Sequence, residues 1–362
     1  MLKKFWLFIV LILFGVFTNQ SAQKPPHSTA KKEASLSPAF SQQKISNSIF
    51  IPYWALDDQN LNVDNYERVI YFGVKGSISG INKQDQGYRQ LSAFVKASAD
   101  KQKYLTLTMT NSDINFAVLE DKSAQQKIIN ETIETMRQYN FSGLVLDLEL
   151  FSLFNDKIPD QINQFAQSFY QQVKQSGFKF AITLYADTFY RKRPYDVSTL
   201  AKNADEIMIM AYDFSKSRGE PGPNFPFEGH EKFGYDFKTM IADFTAVVPV
   251  EKLSVIFGMY GYDWVVDEKK RPIRPAQSLS DNQIKEKYLS KCSSKNCVVL
   301  HDNLSKETEI DFVEFLGLDA NDFAQEQTHI IWFEDQKSAQ TKQEYLKQQG
   351  VTKFSYWSYG YF

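Results

Sequence analysis

The sequence predicts a (β/α)8 barrel, an α/β fold, from three observations. Short apolar strand-like runs recur from residue 48 onward, and most of them are followed by a polar or helical stretch. Two of the intervening stretches carry apolar residues at helical spacing. Strands that alternate with helices indicate a parallel sheet, and eight such units are typical of the closed barrel. An open doubly wound sheet is the alternative, but the sequence lacks the glycine-rich binding fingerprint of that fold.

The predicted strands are short runs rich in aliphatic and aromatic residues. They cover residues 49–54, 69–74, 104–110, 143–149, 178–185, 206–213, 253–262 and 353–361. Residues 127–139 predict a helix with Ile129, Ile133 and Met136 on one face. Residues 159–177 predict a second helix, whose apolar face is Ile162, Phe165, Phe169 and Val173.

The stretch between the seventh and eighth predicted strands is too long for an ordinary loop. It contains both cysteines of the chain and a further strand-like run, HIIWF, at residues 329–333. We therefore expect a small insertion, over about residues 265–335, between strand seven and helix seven.

The N-terminal segment, residues 1–22, predicts export. Lys3 and Lys4 precede an apolar stretch from residue 5 to residue 17, which is short for a spanning helix and typical of a secretory signal. No clear cleavage site follows, so an uncleaved anchor is the alternative. Residues 23–47 are rich in Pro, Ser, Lys, Gln and Ala and predict a flexible linker to a domain over residues 48–362. We expect that domain to be secreted, or to face outward and be anchored to the cell membrane by residues 5–17.

Composition excludes several classes of function. The formal net charge is −2, and no basic stripe interleaved with aromatic residues indicates a nucleic-acid partner. The four histidines are scattered without metal-ligand spacing, and no glycine-rich phosphate loop is present. We therefore expect a monomer that uses no metal or other cofactor and contacts a membrane only through its N-terminal segment.

Cys292 and Cys297 are the two cysteines of the chain. In an exported protein a pair this close predicts a disulfide that closes a small loop. A zinc site would need two more ligands nearby, which the sequence does not supply. Two reduced cysteines without a structural role remain the alternative.

The fourth predicted strand, in FSGLVLDLELF, carries two acids inside an apolar run. Because side chains alternate along a strand, Val145, Asp147 and Glu149 share one face. Burying two carboxylates side by side is costly unless they are paired, protonated or functional. In a barrel, both acids would lie at the C-terminal face, where the active sites of such barrels are built.

Other polar and aromatic side chains end at the same face. Strand six ends in Met210, Ala211, Tyr212 and Asp213; strand seven contains Tyr260; and strand eight carries Trp357. Each feature alone has a structural explanation, since acids cap helices and begin turns, and aromatic residues pack cores. Together they indicate an aromatic-walled pocket, which suits a sugar.

These motifs resemble glycoside hydrolase family 18, the chitinase-like barrels. Strand four is similar to the signature DGxDxDxE, and IMIMAYD, GMYGYDW and FSYW resemble the motifs of strands six, seven and eight, in family order. The resemblance covers roughly residues 48–362. The runs at residues 221–226 and 329–351 are most similar to the bacterial spore-germination and cortex-lytic branch.

The resemblance implies roles for individual residues. Glu149 matches the general acid/base, Asp147 orients the 2-acetamido group of the substrate, and Tyr212 hydrogen-bonds the acetamido oxygen. That oxygen attacks the anomeric carbon in place of a protein carboxylate. The implied sugar-contacting residues are Asp213, Trp357, Met210, Tyr260 and Tyr53.

Two positions depart from the signature, because Ser142 and Val145 replace its first two acids. In the family the middle acid lies below the third and shares a proton with it, so Asp147 loses that partner and activity is expected to be reduced. The resemblance implies an exported glycosidase that hydrolyses β-linked N-acetylglucosamine in peptidoglycan or chitin-like polymers, by a substrate-assisted retaining mechanism. The alternative is a non-catalytic chitinase-like carbohydrate-binding protein.

Overall fold

The structure is a computed structural model that describes residues 44–56, 61–151, 156–318 and 323–362. The predicted signal or anchor, residues 1–22, and nearly all of the predicted linker lie outside the described residues. Among the residues described, no helix combines the length and the apolar character needed to cross a membrane.

The strands and helices of the described residues are numbered in chain order. The strands are β1 (Ser46–Pro52), β2 (Arg68–Ser77), β3 (Gly80–Ile81), β4 (Gln102–Met109), β5 (Gly143–Leu148), β6 (Lys179–Tyr185), β7 (Glu206–Ala211), β8 (Leu253–Gly258), β9 (Tyr260–Val266), β10 (Gln277–Ser280), β11 (Cys297–His301), β12 (Thr308–Leu318), β13 (Ala324–Phe333) and β14 (Lys353–Trp357). The helices are α1 (Gln86–Arg89), α2 (Leu91–Ala97), α3 (Ser112–Glu120), α4 (Lys122–Gln138), α5 (Ile158–Gln175), α6 (Val197–Lys202), α7 (His230–Phe233), α8 (Phe237–Thr245), α9 (Asp281–Lys287) and α10 (Gln336–Gln348).

Eight parallel strands close into a barrel, which confirms the predicted fold class. Their order around the barrel is β1-β14-β8-β7-β6-β5-β4-β2, and pairing of β1 with β2 closes the ring. Helices α4 and α5 flank β5 in the chain, and α5 buries the predicted face formed by Ile162, Phe165, Phe169 and Val173. This apolar stripe is what an amphipathic helix needs in order to pack on the outside of a barrel.

Alternation along the strands separates two hydrophobic clusters. Leu144, Leu146 and Leu148 of β5 point outward into the large cluster beneath the helices. Val145 points inward and joins the cluster that fills the barrel interior. Period-two alternation therefore places the acids of this strand on the interior face, as predicted.

A second sheet lies between β8 and α10 in the chain. It is a five-stranded antiparallel sheet in the order β10-β9-β13-β12-β11. The sequence predicts one strand over residues 253–262, but the barrel strand ends at Gly258 and Tyr260 begins the second sheet. The insertion therefore begins before residue 265, and β1 begins at Ser46 instead of residue 49.

Gly258 permits close packing at the point where the chain changes sheets. A Cβ atom at this position would lie 2.7 Å from Cβ of Tyr212 and 2.7 Å from the ring of Tyr260. Because real Cβ atoms do not approach that closely, a larger residue here would push the two tyrosine rings apart.

The end of the barrel opposite the acid pair contains a buried ion pair. Arg68 on β2 donates to both carboxylate oxygens of Glu206 on β7, at 2.7 and 2.8 Å, and to the Ser48 hydroxyl at 3.1 Å. Both charged residues are 6% exposed. The bidentate geometry satisfies the two charges inside the barrel, so this polar layer is a paired part of the core.

We expect Arg68→Met to destabilise the fold, because it leaves Glu206 buried without a counter-ion. Removing one partner of a buried pair typically costs about 3–5 kcal/mol. Urea unfolding measures the loss. The control is Lys44→Met, which breaks the exposed Lys44–Glu67 pair and should change stability by less than about 1 kcal/mol. Equal losses in the two variants would contradict a special role for the buried pair.

Candidate active site

Asp147 and Glu149 lie at the C-terminal end of β5, on the interior face of the barrel. Asp147 is 4% exposed, and Glu149 is partly buried directly after the strand ends at Leu148. The Glu149 amide donates to the Met109 carbonyl at 2.8 Å, which continues the pairing of β5 with β4 past the end of the strand.

A buried side chain, Asn115, and a half-buried one, Tyr195, fix the backbone around Glu149. The Asn115 amide donates to the carbonyls of Met109 at 2.6 Å and Glu149 at 2.9 Å. The Tyr195 hydroxyl donates to the Leu148 carbonyl and accepts from the Leu150 amide, both at 2.8 Å. Because these bonds hold the main chain on both sides of Glu149, its carboxyl group starts from a fixed position.

Each acid accepts a hydrogen bond from β6. The Thr183 hydroxyl donates to Oδ1 of Asp147 at 2.6 Å, and the Tyr185 hydroxyl donates to Oε2 of Glu149 at 2.7 Å. Thr183 and Tyr185 were missed in the sequence analysis. The alternation in FKFAITLY could have identified them, since both lie on the same face as Ala181, which contacts the barrel interior.

Burial governs the protonation of the pair. Burial, followed by the charge of Glu149, raises the pKa of Asp147 to about 7, and the Thr183 hydrogen bond partly opposes the rise. Burial also raises the pKa of Glu149, and the Tyr185 hydrogen bond opposes that rise. The charge of Glu149 acts on Asp147, so the two carboxyls do not ionise independently, and both hold a proton to higher pH than a free carboxyl group.

The position below Asp147 is apolar. Val145 pairs in register with Thr106 of β4 and Ala181 of β6, and it packs in the interior cluster with Ile70 and Met208. The family pattern places an acid here, whereas in this chain a neutral hydroxyl, that of Thr183, contacts Asp147 from the next strand.

Tyr212 and Asp213 follow β7 at the same face of the barrel. The pKa of Tyr212 is raised well above its usual value by burial and then by the charges of Asp147 and Glu149, so its hydroxyl keeps its proton. Asp213 has a left-handed backbone with φ of 59°. Its Oδ1 accepts hydrogen bonds from the hydroxyls of Tyr260 and, at 2.7 Å, Tyr262.

Trp357, at the end of β14, packs on the interior cluster that contains Met210. Its ring centroid lies 4.6 Å from that of Phe72, 5.8 Å from that of Phe50 and 6.5 Å from that of Trp54. The peptide bond that follows Trp357 is cis. These rings form an aromatic floor at the C-terminal end of the barrel.

The structure does not bring Tyr53 into this group. Its side chain packs against the outer cluster and would contact a Cβ at Gly73, next to the outward-facing Tyr71. Trp54, which is 45% exposed, is the residue of this segment that faces Trp357. The short 3-10 turn at Tyr53–Ala55 rotates the chain after β1 ends, which strand alternation could not predict.

The Asn224 side chain fixes the main chain at Asp213 through hydrogen bonds. Its side chain accepts from the Asp213 amide at 2.8 Å and donates to the carbonyls of Gly258 at 3.1 Å and Tyr260 at 3.0 Å. The Asn224 carbonyl also accepts from the Phe214 amide at 2.7 Å. One side chain thus joins the end of β7, the end of β8 and the start of the second sheet.

A buried charge cluster holds Asn224 in turn. Glu307 accepts from the amides of Asn224 at 2.6 Å and Phe225 at 2.7 Å. Lys342 of α10 donates to Glu307 at 2.9 Å and to Glu334, and all three charged residues are 0% exposed. Burial raises the pKa of Glu334 to about 8, with Lys342 opposing the rise. This triad of Glu307, Lys342 and Glu334 connects the second sheet to the site.

The insertion contains the predicted cysteine pair. Cys292 and Cys297 are joined by a disulfide, and Cys297 is the first residue of β11 in the second sheet. No group of three potential metal-ligating side chains occurs in the described part of the chain.

The chain has a closed barrel with an acid pair and an aromatic floor at its C-terminal face. This is the arrangement of the barrel enzymes that bind their ligands at this face. The sequence profile of the glycosyl hydrolases family 18 matches residues 18–361. The chain belongs to family 18, which confirms the resemblance described above.

The relatives of the chain include bacterial and plant proteins. It is 22% identical over 260 residues to the cortical fragment-lytic enzyme of Bacillus anthracis, covering 69% of this chain and 54% of the relative. It is 24% identical over 312 residues to a class V chitinase of Arabidopsis thaliana, covering 75% and 76%. The chain spans about half the length of the cortical fragment-lytic enzymes it matches.

Solved structures share the fold. The spore cortex-lytic enzyme SleL of Bacillus cereus has a TM-score of 0.69 and 19% identity, over 88% of this chain and 71% of that chain. A Group IV chitinase of Ostrinia furnacalis, solved in complex with allosamidin, has a TM-score of 0.70 and 16% identity, over 87% and 92%.

We expect Glu307→Gln to loosen the segment that carries Asp213, because the amides of Asn224 and Phe225 would lose a charged acceptor. A hydrogen bond to a charged group is worth about 1.5–3 kcal/mol, so amide exchange of residues 212–226 should accelerate roughly 10- to 100-fold. Hydrogen–deuterium exchange under native conditions measures this.

The control is Val173→Ala, which removes a buried side chain from α5, far along the chain from this segment. It should lower global stability while exchange of residues 212–226 stays as in the unmodified protein. Equal acceleration in the two variants would mean that Glu307 acts only through overall stability.

Proposed function

We propose that the protein is a glycosidase that hydrolyses β-linked N-acetylglucosamine-containing glycans, of the peptidoglycan or chitin kind, with retention of configuration. The observation that carries the proposal is the buried pair of Asp147 and Glu149 beside Tyr212, in a member of this family. The names of the relatives, a cortical fragment-lytic enzyme and chitinases, support this substrate class.

In the proposed reaction, Glu149 supplies the proton. Its carboxylic acid protonates the glycosidic oxygen while the acetamido carbonyl oxygen of the substrate attacks the anomeric carbon, so the leaving sugar departs with that proton. Glu149, now ionised, then takes a proton from a water molecule that opens the cyclic intermediate. The burial that raises the pKa of Glu149 favours the acid form needed in the first step.

Asp147 and Tyr212 act on the acetamido group in this scheme. Ionised Asp147 accepts from the acetamido N–H and stabilises the positive charge of the cyclic intermediate. Tyr212 keeps its proton and donates to the acetamido oxygen. The sugar rests on Trp357 and is contacted by Asp213 and the walls at Met210 and Tyr260.

Val145 favours a second candidate function, a carbohydrate-binding protein without useful turnover. With no carboxyl below Asp147, the proton of the pair has no lower position to occupy, and the Thr183 hydroxyl does not supply one, because it cannot act as an acid near neutral pH. Retention of both Asp147 and Glu149 supports the enzyme over this candidate.

We also propose that the protein acts outside the cell, either secreted or anchored by residues 5–17. The support is the pair of lysines followed by an apolar stretch at the N-terminus.

We expect Glu149→Gln to abolish turnover and retain sugar binding. The amide keeps the shape of the side chain and can still accept from Tyr185, but it cannot give up a proton, a contribution of typically ~10²–10⁴-fold. Release of reducing ends from chitooligosaccharides and peptidoglycan strands measures turnover, and calorimetry measures binding.

Matched glucose oligosaccharides are the substrate control, since they lack the acetamido nucleophile and should not be cleaved. Cleavage of both sugar series would contradict substrate assistance. Binding without turnover by the unmodified protein would favour the carbohydrate-binding candidate.

We expect Thr183→Val to shift the acidic limb of the pH–rate profile to higher pH. The Thr183 hydroxyl favours ionised Asp147, so its removal raises a pKa that is already about 7. Because the proposed role requires ionised Asp147, the rate should fall most at pH 6–7 and recover as the pH rises.

Thr106→Val is the matched control. The Thr106 hydroxyl is buried in the same barrel and has no hydrogen-bond partner among the described residues, so its loss should leave the limb in place. Identical profiles for Thr183→Val and the unmodified protein would show that Asp147 does not limit the rate.

A further inference from the structure

A group of cationic side chains beside Glu149 has no part in the proposed reaction. It consists of Arg191 and Arg193, in the segment that follows β6, and Lys216, in the segment that follows Asp213. We refer to these three residues as the cationic wall. It lies next to Tyr185, because the Arg193 guanidinium is 4.3 Å from the centroid of the Tyr185 ring.

The two arginines are neutralised in part by one acid. Arg193 donates to both oxygens of Asp187 at 2.9 and 3.0 Å, and Arg191 lies 3.1 Å from the same carboxylate. One negative charge is thus shared between two positive ones, and the wall as a whole keeps an excess of positive charge. Arg191 also donates to the Phe214 carbonyl at 3.0 Å, and Arg193 donates to the Phe151 carbonyl at 3.1 Å.

Lys216 differs from the arginines because no carboxylate among the described residues pairs with it directly, although the charges of Asp187 and Asp213 favour its charged form. It is half-buried, yet within the described residues its ammonium group makes no hydrogen bond and no ion pair. Burial, followed by repulsion from Arg193 and Arg191, lowers the pKa of Lys216. Repulsion from the two guanidinium groups makes this ammonium group costly to hold, and a bound anion would reduce that cost.

An aromatic surface lies next to this ammonium group. The Lys216 Nζ atom is 6.0 Å from the centroid of the Phe151 ring, and that ring is 51% exposed. Phe151 in turn lies 5.7 Å from the ring of Tyr185, whose hydroxyl contacts Glu149. An exposed ring beside a free cation suits a sugar that stacks through its C–H face and carries a negative substituent.

We propose that Lys216 and Phe151 form a subsite for an N-acetylated amino sugar that carries a carboxylate. The carboxylate pairs with Lys216 while the sugar ring stacks on Phe151, beside the bond at which Glu149 acts. The lactyl group of N-acetylmuramic acid in peptide-free peptidoglycan strands has this chemistry, and chitin does not. The inference rests on the proposed function and makes it narrower, since it selects peptidoglycan strands over chitin.

The charge distribution supports this choice of substrate. An uncharged N-acetylglucosamine polymer would have to desolvate the cationic wall without pairing any of its charge. A carboxylate would replace the water lost by Lys216 with a charge-assisted hydrogen bond, which is among the stronger polar contacts in proteins. The same residue would therefore penalise one polymer and favour the other.

The test compares Lys216→Met with the unmodified protein on two substrates of equal length, peptide-free peptidoglycan strands and chitooligosaccharides. The measured quantity is the ratio of kcat/KM for the strands to kcat/KM for the chitooligosaccharides. Loss of a charge-assisted hydrogen bond should lower this ratio about tenfold or more. Lys216→Arg should restore most of the ratio, and Lys174→Met, which alters an exposed lysine on α5, should leave it unchanged.

Converting the lactyl carboxylates to methylamides provides the complementary change on the substrate. The unmodified protein should lose activity on the amidated strands by the same factor, and Lys216→Met should not distinguish amidated from native strands. An unchanged ratio in Lys216→Met would overturn the proposal. If kcat/KM fell equally on both substrates, so that the ratio stayed the same, Lys216 would act only through the charge of Glu149.

A binding measurement separates this inference from the proposed function. Calorimetry with Glu149→Gln and with the double variant Glu149→Gln/Lys216→Met compares affinity for the same two glycans without turnover. If Glu149→Gln binds the peptidoglycan strands more tightly than the double variant does, the subsite is supported. This holds even if the unmodified protein cleaves neither glycan, a result that would contradict only the proposed glycosidase activity.

Discussion

Burial of two carboxyl groups on one strand is the constraint on which the site depends. Asp147 and Glu149 point into a closed barrel, and there the loss of water raises the pKa of both. Hydrogen bonds from Thr183 and Tyr185 oppose that effect without cancelling it. Burial in the barrel therefore holds protons on these carboxyl groups to higher pH than in water, while the neutral donors on the adjacent strand limit that rise.

The second sheet helps to hold Asp213 in the site. Asp213 follows the barrel strand β7, but its position is set through Asn224 by Glu307 and Lys342, which belong to the insertion and to α10. Tyr260 and Tyr262, which hold the Asp213 carboxylate, are themselves residues of the second sheet. A barrel without the insertion would lack these contacts, so the insertion is part of the site and not an appendage to the fold.

Thr183 shows how this chain accommodates its departure from the family signature. Val145 continues the apolar layer of the barrel interior. Asp147 therefore accepts its hydrogen bond from Thr183 on the neighbouring strand β6, instead of sharing a proton with an acid at position 145 of its own strand. Asp147 and Glu149 are thus both retained, but the third carboxyl group, which could have taken up a proton from Asp147, is missing. Burial raises the pKa of Glu149 and the charge of Asp213 adds to the rise, whereas the charges of Arg193 and Lys216 in the cationic wall oppose it. The acidity of this residue is therefore a balance of burial against nearby charges.

Strand and helix periodicity in the sequence was sufficient to predict the barrel, the apolar face of α5 and the shared face of Val145, Asp147 and Glu149. These features are local, because alternation and helical spacing follow from backbone geometry alone. The end of the barrel strand at Gly258, the outward position of Tyr53 and the pocket-facing position of Trp54 were not predictable in this way, since each depends on where the chain turns out of the sheet. The contacts of Asp213 with Asn224, of Asn224 with Glu307 and of Glu307 with Lys342 join residues 11, 83 and 35 positions apart. No pattern along the chain records such pairings, because they exist only once the barrel has closed and the second sheet has packed beside it.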